Sequence, residues 1–222
     1  MHFVKTADPS TGEVDLAEEI RKSLFSGHKV LWLVSGGSNI PTSVTVMQQL
    51  GDAPLQNLTI MLGDERYGQV GHSDSNAQQL AEAGFDPREA QFIPVLENSP
   101  LSETVANYAK HYDVVSASSD NIIGQFGIGT NSHILGILPD SPALKSPDLV
   151  TAYRGSDYTR ITLTFRALKR LTAAYVFAWG KDKYKDLKEL RDKDLPPSKK
   201  PSQLLKQLSE VYIYNDQIGD DL

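Results

Sequence analysis

The 222-residue sequence contains no cysteine, which excludes disulfide bonds, thiolate catalysis and thiolate metal ligands. It has no run of about 18 apolar residues that could cross a bilayer, and its first twenty residues lack the apolar core of a signal peptide. It also has no basic run, and its net charge of −6 argues against nucleic-acid binding. We therefore expect a cytoplasmic protein that binds neither nucleic acid nor a membrane.

What the sequence does contain is an alternation of apolar and amphipathic segments. Three runs are apolar at all positions or at all but one threonine, as strands buried on both faces are: "VLWLV" (30–34), "LTIML" (58–62) and "TAAYVFAW" (172–179). Between such runs lie helical patterns, for example Leu16, Ile20 and Leu24 on one face. This alternation predicts an α/β fold with a doubly wound, mostly parallel sheet and helices on both faces, in one domain over residues 1–222.

Several shorter segments complete this prediction. "AQFIPVL" (90–96) reads as an edge strand because Pro94 interrupts it. "TRITLTF" (159–165) alternates like a strand, residues 181–193 form a charged helix, and a helix and a strand follow the loop 194–202. "NIIGQF" (121–126) also reads as a strand, although Gly124 and Gln125 stand where apolar residues are expected.

Three polar loops follow predicted strands, and ligands of parallel α/β sheets bind at the carboxyl ends of the strands. We therefore expect the three loops to converge on one rim of the sheet. The first loop is "SGGS" (35–38), which leads from a strand into a helical pattern. Its glycines and the free N–H groups of the helix suit an anion such as phosphate. It has neither the Walker nor the G-x-G-x-x-G spacing, so a plain tight turn is an equally good interpretation.

The other two loops contain ionisable residues. "GDERYG" places Asp64 beside Arg66, either as a structural ion pair or with Arg66 binding a substrate oxygen. Further along the same loop, in "HSDSN" (72–76), Asp74 or Ser75 is a predicted helix cap. "GIGTNSH" ends on His133, which is either a packed histidine or a general base.

The order of these loops along the chain favours the functional interpretations over the structural ones. "SGGSNIP", "LGDERYGQVGHSDSN", "FGIGTNSHILGILPDSPAL", "RITLTFRAL" and "WGKDKYKDL" extend from residue 35 to about residue 187. In this order they resemble the 6-phosphogluconolactonases, within the wider group that includes glucosamine-6-phosphate deaminase. The resemblance implies hydrolysis of 6-phosphoglucono-1,5-lactone in the pentose phosphate pathway, a small sugar phosphate as the ligand, and no cofactor or metal.

The resemblance also implies roles for particular residues. His133 falls on the family's catalytic histidine, and Arg66 is the candidate to stabilise the oxyanion. Apart from the resemblance, Asp64 is a candidate from the neighbouring loop to orient the histidine. The phosphate would bind the 35–38 loop, Arg160 and Lys183. The full predicted site comprises catalytic His133, Arg66 and Asp64, and substrate-binding Ser35, Gly36, Gly37, Ser38, Asn131, Arg160 and Lys183.

Departures from the family pattern keep other functions open. Asn131-Ser132 replaces Asp-Gly before the histidine, and Asn39 and Ile40 alter the first loop. A divergent or non-catalytic sugar-phosphate-binding protein is one alternative. A glucosamine-6-phosphate isomerase or deaminase is another, although Leu138 stands where that group has an acidic residue before the proline. The sequence leaves open whether the protein is a monomer or a homo-oligomer.

Overall fold

The computed structural model describes residues 1–220. Its centre is a parallel sheet of seven strands in the order β1-β10-β9-β6-β2-β3-β5. Three further strands, β4, β8 and β7, form a small antiparallel sheet. The strands are β1 His2–Lys5, β2 Val30–Val34, β3 Leu58–Leu62, β4 Asp64–Arg66, β5 Gln91–Ile93, β6 Asn121–Gly127, β7 Val150–Arg154, β8 Thr159–Leu163, β9 Ala173–Ala178 and β10 Val211–Asn215.

Helices connect the strands of the large sheet. They are α1 Ser10–Phe25, α2 Ile40–Gln49, α3 Asn76–Glu82, α4 Leu101–Ser118, α5 Phe165–Leu168 and α6 Tyr184–Asp192. Every residue of β2 and of β9 is buried, so both faces of the sheet are covered. The predicted doubly wound, mostly parallel α/β architecture is confirmed.

Individual elements follow the predicted periodicity closely. Leu16, Ile20 and Leu24 of α1 are at most 1% exposed, as one apolar helical stripe requires. The segment with Pro94 forms β5 at the edge of the large sheet, where a missing backbone donor is tolerated. In β6, Gly124 leaves room for the ring of Phe126, because a Cβ atom there would lie 2.3 Å from Cζ of that ring.

Two predicted elements differ in the structure. Residues Asp64–Arg66, expected in a loop, form strand β4 because they pair with residues of β8 that lie 94 to 98 positions away. The helix expected after residue 202 is a 3₁₀ segment, Pro201–Gln207, which leads into the predicted final strand β10. Pairing and tight 3₁₀ turns depend on tertiary contacts that periodicity does not report.

No helix within residues 1–220 combines the length and apolarity needed to cross a membrane. The same residues contain no group of three or more histidine, aspartate or glutamate side chains placed to hold a metal ion.

Candidate active site

A cavity of about 280 Å³ opens where the carboxyl ends of β2, β6 and β9 meet the small antiparallel sheet. Ten of its lining residues belong to the predicted site or flank it directly. They are Ser35, Gly36, Gly37, Ser38, Asn39, Asp64, Arg66, His133, Arg160 and Lys183. The structure thus brings the three predicted loops together at one rim. Of the predicted site residues, Asn131 is not in the lining and contacts His133 instead.

The first loop passes between two fixed neighbours. Gly36 lies against the amide of Asn76, so closely that a Cβ atom at position 36 would overlap Oδ1 of that amide. Asn76 in turn donates from Nδ2 to the backbone oxygen of Asp64 at 2.8 Å. Gly37 and Ser38 are exposed to the cavity, and a 3₁₀ turn, Gly37–Asn39, leads into α2. This backbone has the open approach that an anion needs.

Ser35 lines the cavity, but its hydroxyl is already hydrogen-bonded within the protein. Its hydroxyl is buried and donates to the backbone oxygen of Gln125 in β6 at 2.9 Å. That proton is therefore used inside the protein, and Ser38 is the serine of this loop whose side chain is exposed.

His133 is held by the loop that follows β6. Its ring packs on Gly129, where a Cβ atom would fall 1.9 Å from Cε1 of the imidazole. Nδ1 is hydrogen-bonded to Oδ1 of Asn131. Because an amide oxygen can only accept, Nδ1 carries the proton and Nε2 keeps its lone pair. Asn131, not Asp64, is therefore the side chain that orients the histidine.

Charge and burial keep this imidazole neutral. Burial, together with the positive charges of Arg160 and Lys183, lowers the pKa of His133 from its ordinary value near 6.5 to about 4. The unprotonated Nε2 is then available throughout the neutral pH range. A histidine in this state can accept a proton but cannot serve as a resident acid.

The residues of the "GDER" segment have two kinds of role. Asp64 and Arg66 line the cavity, whereas Glu65 is a structural carboxylate. Glu65 is fully buried and accepts from the N–H of Arg66 (2.7 Å), the hydroxyl of Ser75 (2.9 Å) and the N–H groups of Asn76 (2.6 Å) and Ala77 (3.0 Å). Ser75 is the N-cap of α3, as predicted. Glu65 therefore anchors the start of α3, where the helix dipole favours an anion.

Arg66 and Arg160 form one wall of the cavity. They are directly opposite each other on β4 and β8, and both guanidinium carbons lie within 6 Å of the ring centre of Tyr158 (5.3 and 5.7 Å). Nη1 of Arg66 donates to the backbone oxygen of Asp74, and Nη2 of Arg160 donates to Asp157 at 2.7 Å. Like charges in this register repel each other, and an anion between them relieves that repulsion.

Two further ionisable groups complete the cavity. Lys183, in a 3₁₀ turn after β9, lies 3.4 Å from the carboxylate of Asp182. Asp64 also lines the cavity and is buried, and this burial raises the pKa of its carboxyl group to about 6 against the attraction of Arg66. The cavity thus combines three cations, a neutral imidazole and a carboxyl group that titrates near neutrality.

Comparison with known proteins identifies the family of the chain. The sequence profile of a family described as glucosamine-6-phosphate isomerases/6-phosphogluconolactonase matches residues 11–213. The chain belongs to this family.

Individual relatives within the family agree with that placement. A 6-phosphogluconolactonase of Synechocystis sp. is 24% identical over 200 residues, covering 84% of this chain and 82% of the relative. One from Thermotoga maritima is 28% identical over 199 residues, covering 83% and 88%.

Solved structures show the same fold. A 6-phosphogluconolactonase from Shewanella baltica superimposes with a TM-score of 0.77 at 22% identity over 97% of each chain. A monomeric glucosamine-6-phosphate deaminase superimposes with a TM-score of 0.80 at 15% identity, also over 97% of each. Both branches of the family therefore share the architecture, and the side chains in the cavity must distinguish them.

Other lining residues of this family member were not singled out from the sequence as site residues. They are Asn39, Asn76, Gly127, Ile128, Gly129, Thr130 and Leu135. Asn76 had a signal, since it ends the "DSN" of the second motif. Ile128 and Leu135 had none, because an apolar residue that lines a cavity has the same pattern as one in the core.

Proposed function

We propose that the protein hydrolyses 6-phosphoglucono-1,5-lactone to 6-phosphogluconate. The observation that carries this proposal is the placement of His133, whose Nδ1 is hydrogen-bonded to Asn131 and whose Nε2 has no hydrogen-bond partner within residues 1–220, in a cavity lined by Arg66, Arg160 and Lys183. A base without a nucleophilic partner, next to cations, suits attack by water on an ester of an anionic sugar.

The proposed reaction starts with the phosphate in the cationic part of the cavity. The backbone of Gly36 and Gly37, the hydroxyl of Ser38, and the side chains of Arg160 and Lys183 would hold it. Charge-assisted contacts of this kind fix a substrate as well as bind it. The lactone carbonyl would then lie between His133 and Arg66.

The chemical step needs one proton carrier and one oxyanion donor. Nε2 of His133 takes a proton from water as the water oxygen bonds to the lactone carbon. The carbonyl oxygen becomes an oxyanion, which Arg66 stabilises. When the carbon–ring-oxygen bond breaks, the imidazolium returns its proton to the departing ring oxygen. The product is the open-chain acid, and the histidine is again neutral.

Asn131 and Asp64 would support these steps. Asn131 keeps the proton on Nδ1, so that Nε2 faces the reaction. Asp64, close to both arginines, offers a carboxyl group that could accept a hydrogen bond from a substrate hydroxyl. We place this reaction in the pentose phosphate pathway and the protein in the cytoplasm.

The deaminase alternative fits the cavity less well. Moving protons between C1 and C2 of an amino sugar needs several titratable groups. Among the lining residues, Asp64 is the acidic one and His133 the imidazole. Leu138, in the position of the deaminases' acidic residue, adds no further carboxylate.

A lactone assay tests the proposal directly. Freshly generated 6-phosphogluconolactone is followed with and without the protein, and the spontaneous hydrolysis is subtracted. We expect hydrolysis in proportion to enzyme concentration, and no release of ammonia from glucosamine 6-phosphate. Absence of lactone hydrolysis with retained 6-phosphogluconate binding would overturn the lactonase proposal in favour of a binding protein.

A further inference from the structure

Gln125 is a buried polar side chain in a strand whose other buried side chains are apolar. It lies in β6, between β9 and β2 of the large sheet, and its side chain is 0% exposed. Burying an amide costs free energy unless its polar atoms are hydrogen-bonded, so an apolar residue would suit this strand better. The position of Gln125 therefore calls for a compensating role.

The side chain of Gln125 is bonded to the start of α2. Its Nε2 donates to the backbone oxygen of Asn39 at 3.2 Å. The hydroxyl of Ser43 lies 3.2 Å from both Oε1 of Gln125 and the backbone oxygen of Asn39, and its single proton is shared between them. Ser43 is also 0% exposed. The three residues form a buried polar cluster at the start of α2.

The backbone of Gln125 holds the other end of the same loop. Its carbonyl oxygen accepts the hydroxyl proton of Ser35 at 2.9 Å. Ser35 and Asn39 are the first and last residues of the loop that carries Gly36, Gly37 and Ser38. One residue of β6 therefore fixes both ends of the segment that faces the cavity.

Fixing both ends matters for binding. A loop containing two adjacent glycines has high conformational freedom, which must be lost when an anion is bound. Hydrogen bonds that hold the loop before the ligand arrives remove part of that cost from the binding step. The benefit appears as affinity for the anion.

We propose that Gln125 is a positioning residue that, with Ser43, holds the Ser35–Asn39 loop in the shape that receives the substrate phosphate. The identity of the ligand rests on the proposed lactonase function, whereas the positioning of the loop does not. Gln125 acts through the loop and touches neither the reacting carbon nor His133. Its loss should weaken binding of the lactone and of 6-phosphogluconate together and leave the chemical step nearly intact.

The test is Gln125→Met, which keeps the length of the side chain. It removes the two side-chain hydrogen bonds, to Asn39 and Ser43, and leaves the backbone bond to Ser35 in place. The matched control is Tyr112→Phe, which removes one buried hydrogen bond, from Oη to the backbone oxygen of Ala167, away from the cavity. We expect Gln125→Met to raise KM for the lactone and Kd for 6-phosphogluconate by about 5- to 20-fold, with kcat changed by less than about threefold. Tyr112→Phe should change neither constant.

A second variant, Ser43→Ala, keeps the inference testable if Gln125→Met does not fold. Ser43→Ala deletes only one hydroxyl and should raise the same Kd by about two- to fivefold. The inference is overturned if neither variant that folds weakens 6-phosphogluconate binding more than Tyr112→Phe does, or if kcat falls while KM and Kd stay constant. If the wild-type protein hydrolyses no lactone but Gln125→Met still weakens 6-phosphogluconate binding, the lactonase proposal fails and the positioning role stands.

Discussion

The two sheets of the protein contribute to the cavity in different ways. The seven-stranded parallel sheet contributes loops beyond its strand ends, including Ser35–Asn39 and the segment that holds His133. The three-stranded antiparallel sheet contributes charged side chains from within its strands, namely Asp64, Arg66 and Arg160.

The difference follows from burial. A strand such as β2, buried over all five residues, has no free face from which a polar side chain could reach a ligand. Its chemistry must come from the loop after it, where backbone and loop side chains face water. The small sheet lines the cavity with one face, so its strand register alone sets which charges meet. The large sheet thus provides the base and the anion seat, and the small sheet provides the surrounding charge.

Removing the base should have the largest effect. With His133→Ala we expect kcat for the lactone to fall by about 10²- to 10⁴-fold, because general base catalysis contributes that much. Binding of 6-phosphogluconate, measured by calorimetry, should change by less than about fivefold, since phosphate contacts remain. His28→Ala, an exposed histidine, is the control. Full activity in His133→Ala would show that His133, on a loop of the large sheet, is not the general base.

Removing a charge from the small sheet should act on binding instead. We expect Arg160→Ala to raise KM for 6-phosphogluconolactone by about 10- to 100-fold, since hydrogen bonds to charged groups contribute about 1.5–3 kcal/mol. The KM for the unphosphorylated lactone should rise much less, because that substrate has no phosphate for Arg160 to bind. Arg154→Ala, on the adjacent strand β7 and outside the cavity, is the control. An equal increase in KM for both lactones would mean that Arg160 supports the fold or contacts the sugar ring, and does not bind the phosphate.

Asp64, in strand β4 of the small sheet, should lower the stability of the folded protein at high pH. Because burial raises the pKa of Asp64 to about 6, the folded state binds a proton more tightly than the unfolded state does. The stabilisation this gives is complete below the unfolded pKa near 4 and is lost as the pH rises through 6. Asp64→Asn should therefore raise the free energy of unfolding at pH 8 by up to about 2–3 kcal/mol, and by little at pH 4.

Denaturant unfolding at the two pH values measures this difference. Asp52→Asn, at a side chain that is 85% exposed, should show little change at either pH. A destabilised Asp64→Asn at pH 8 would mean that the ionised carboxylate is stabilised by the arginines on balance.

The smallest effect is expected at the contact that orients the base. In the wild-type protein, the acid limb of kcat/KM should lie near pH 4, because burial and two cations depress the pKa of His133. Asn131→Asp would place a carboxylate beside Nδ1–H, favour the imidazolium and move that limb to higher pH. The gain in kcat at pH 8 should be less than about tenfold, since Asn131 is exposed. An unmoved limb would show that the Nδ1 contact does not set the pKa.

Much of the fold is encoded in local patterns. Runs that are almost entirely apolar predicted the buried strands, one apolar stripe predicted α1, and Pro94 indicated that its segment lies at a sheet edge. The three polar loops were predicted to meet because parallel strands end at a common rim. Hydrophobic periodicity and backbone chemistry act over a few residues, so the sequence displays them directly.

Only the tertiary structure decided how the loops work together. The pairing that sets Arg66 opposite Arg160, the contact of Gly36 with Asn76, and the buried bonds of Gln125 all join residues 40 or more positions apart. The depressed pKa of His133 has the same origin, because burial and two distant cations cause it. These features depend on distances between segments, and no local pattern records a distance between segments that meet only on folding.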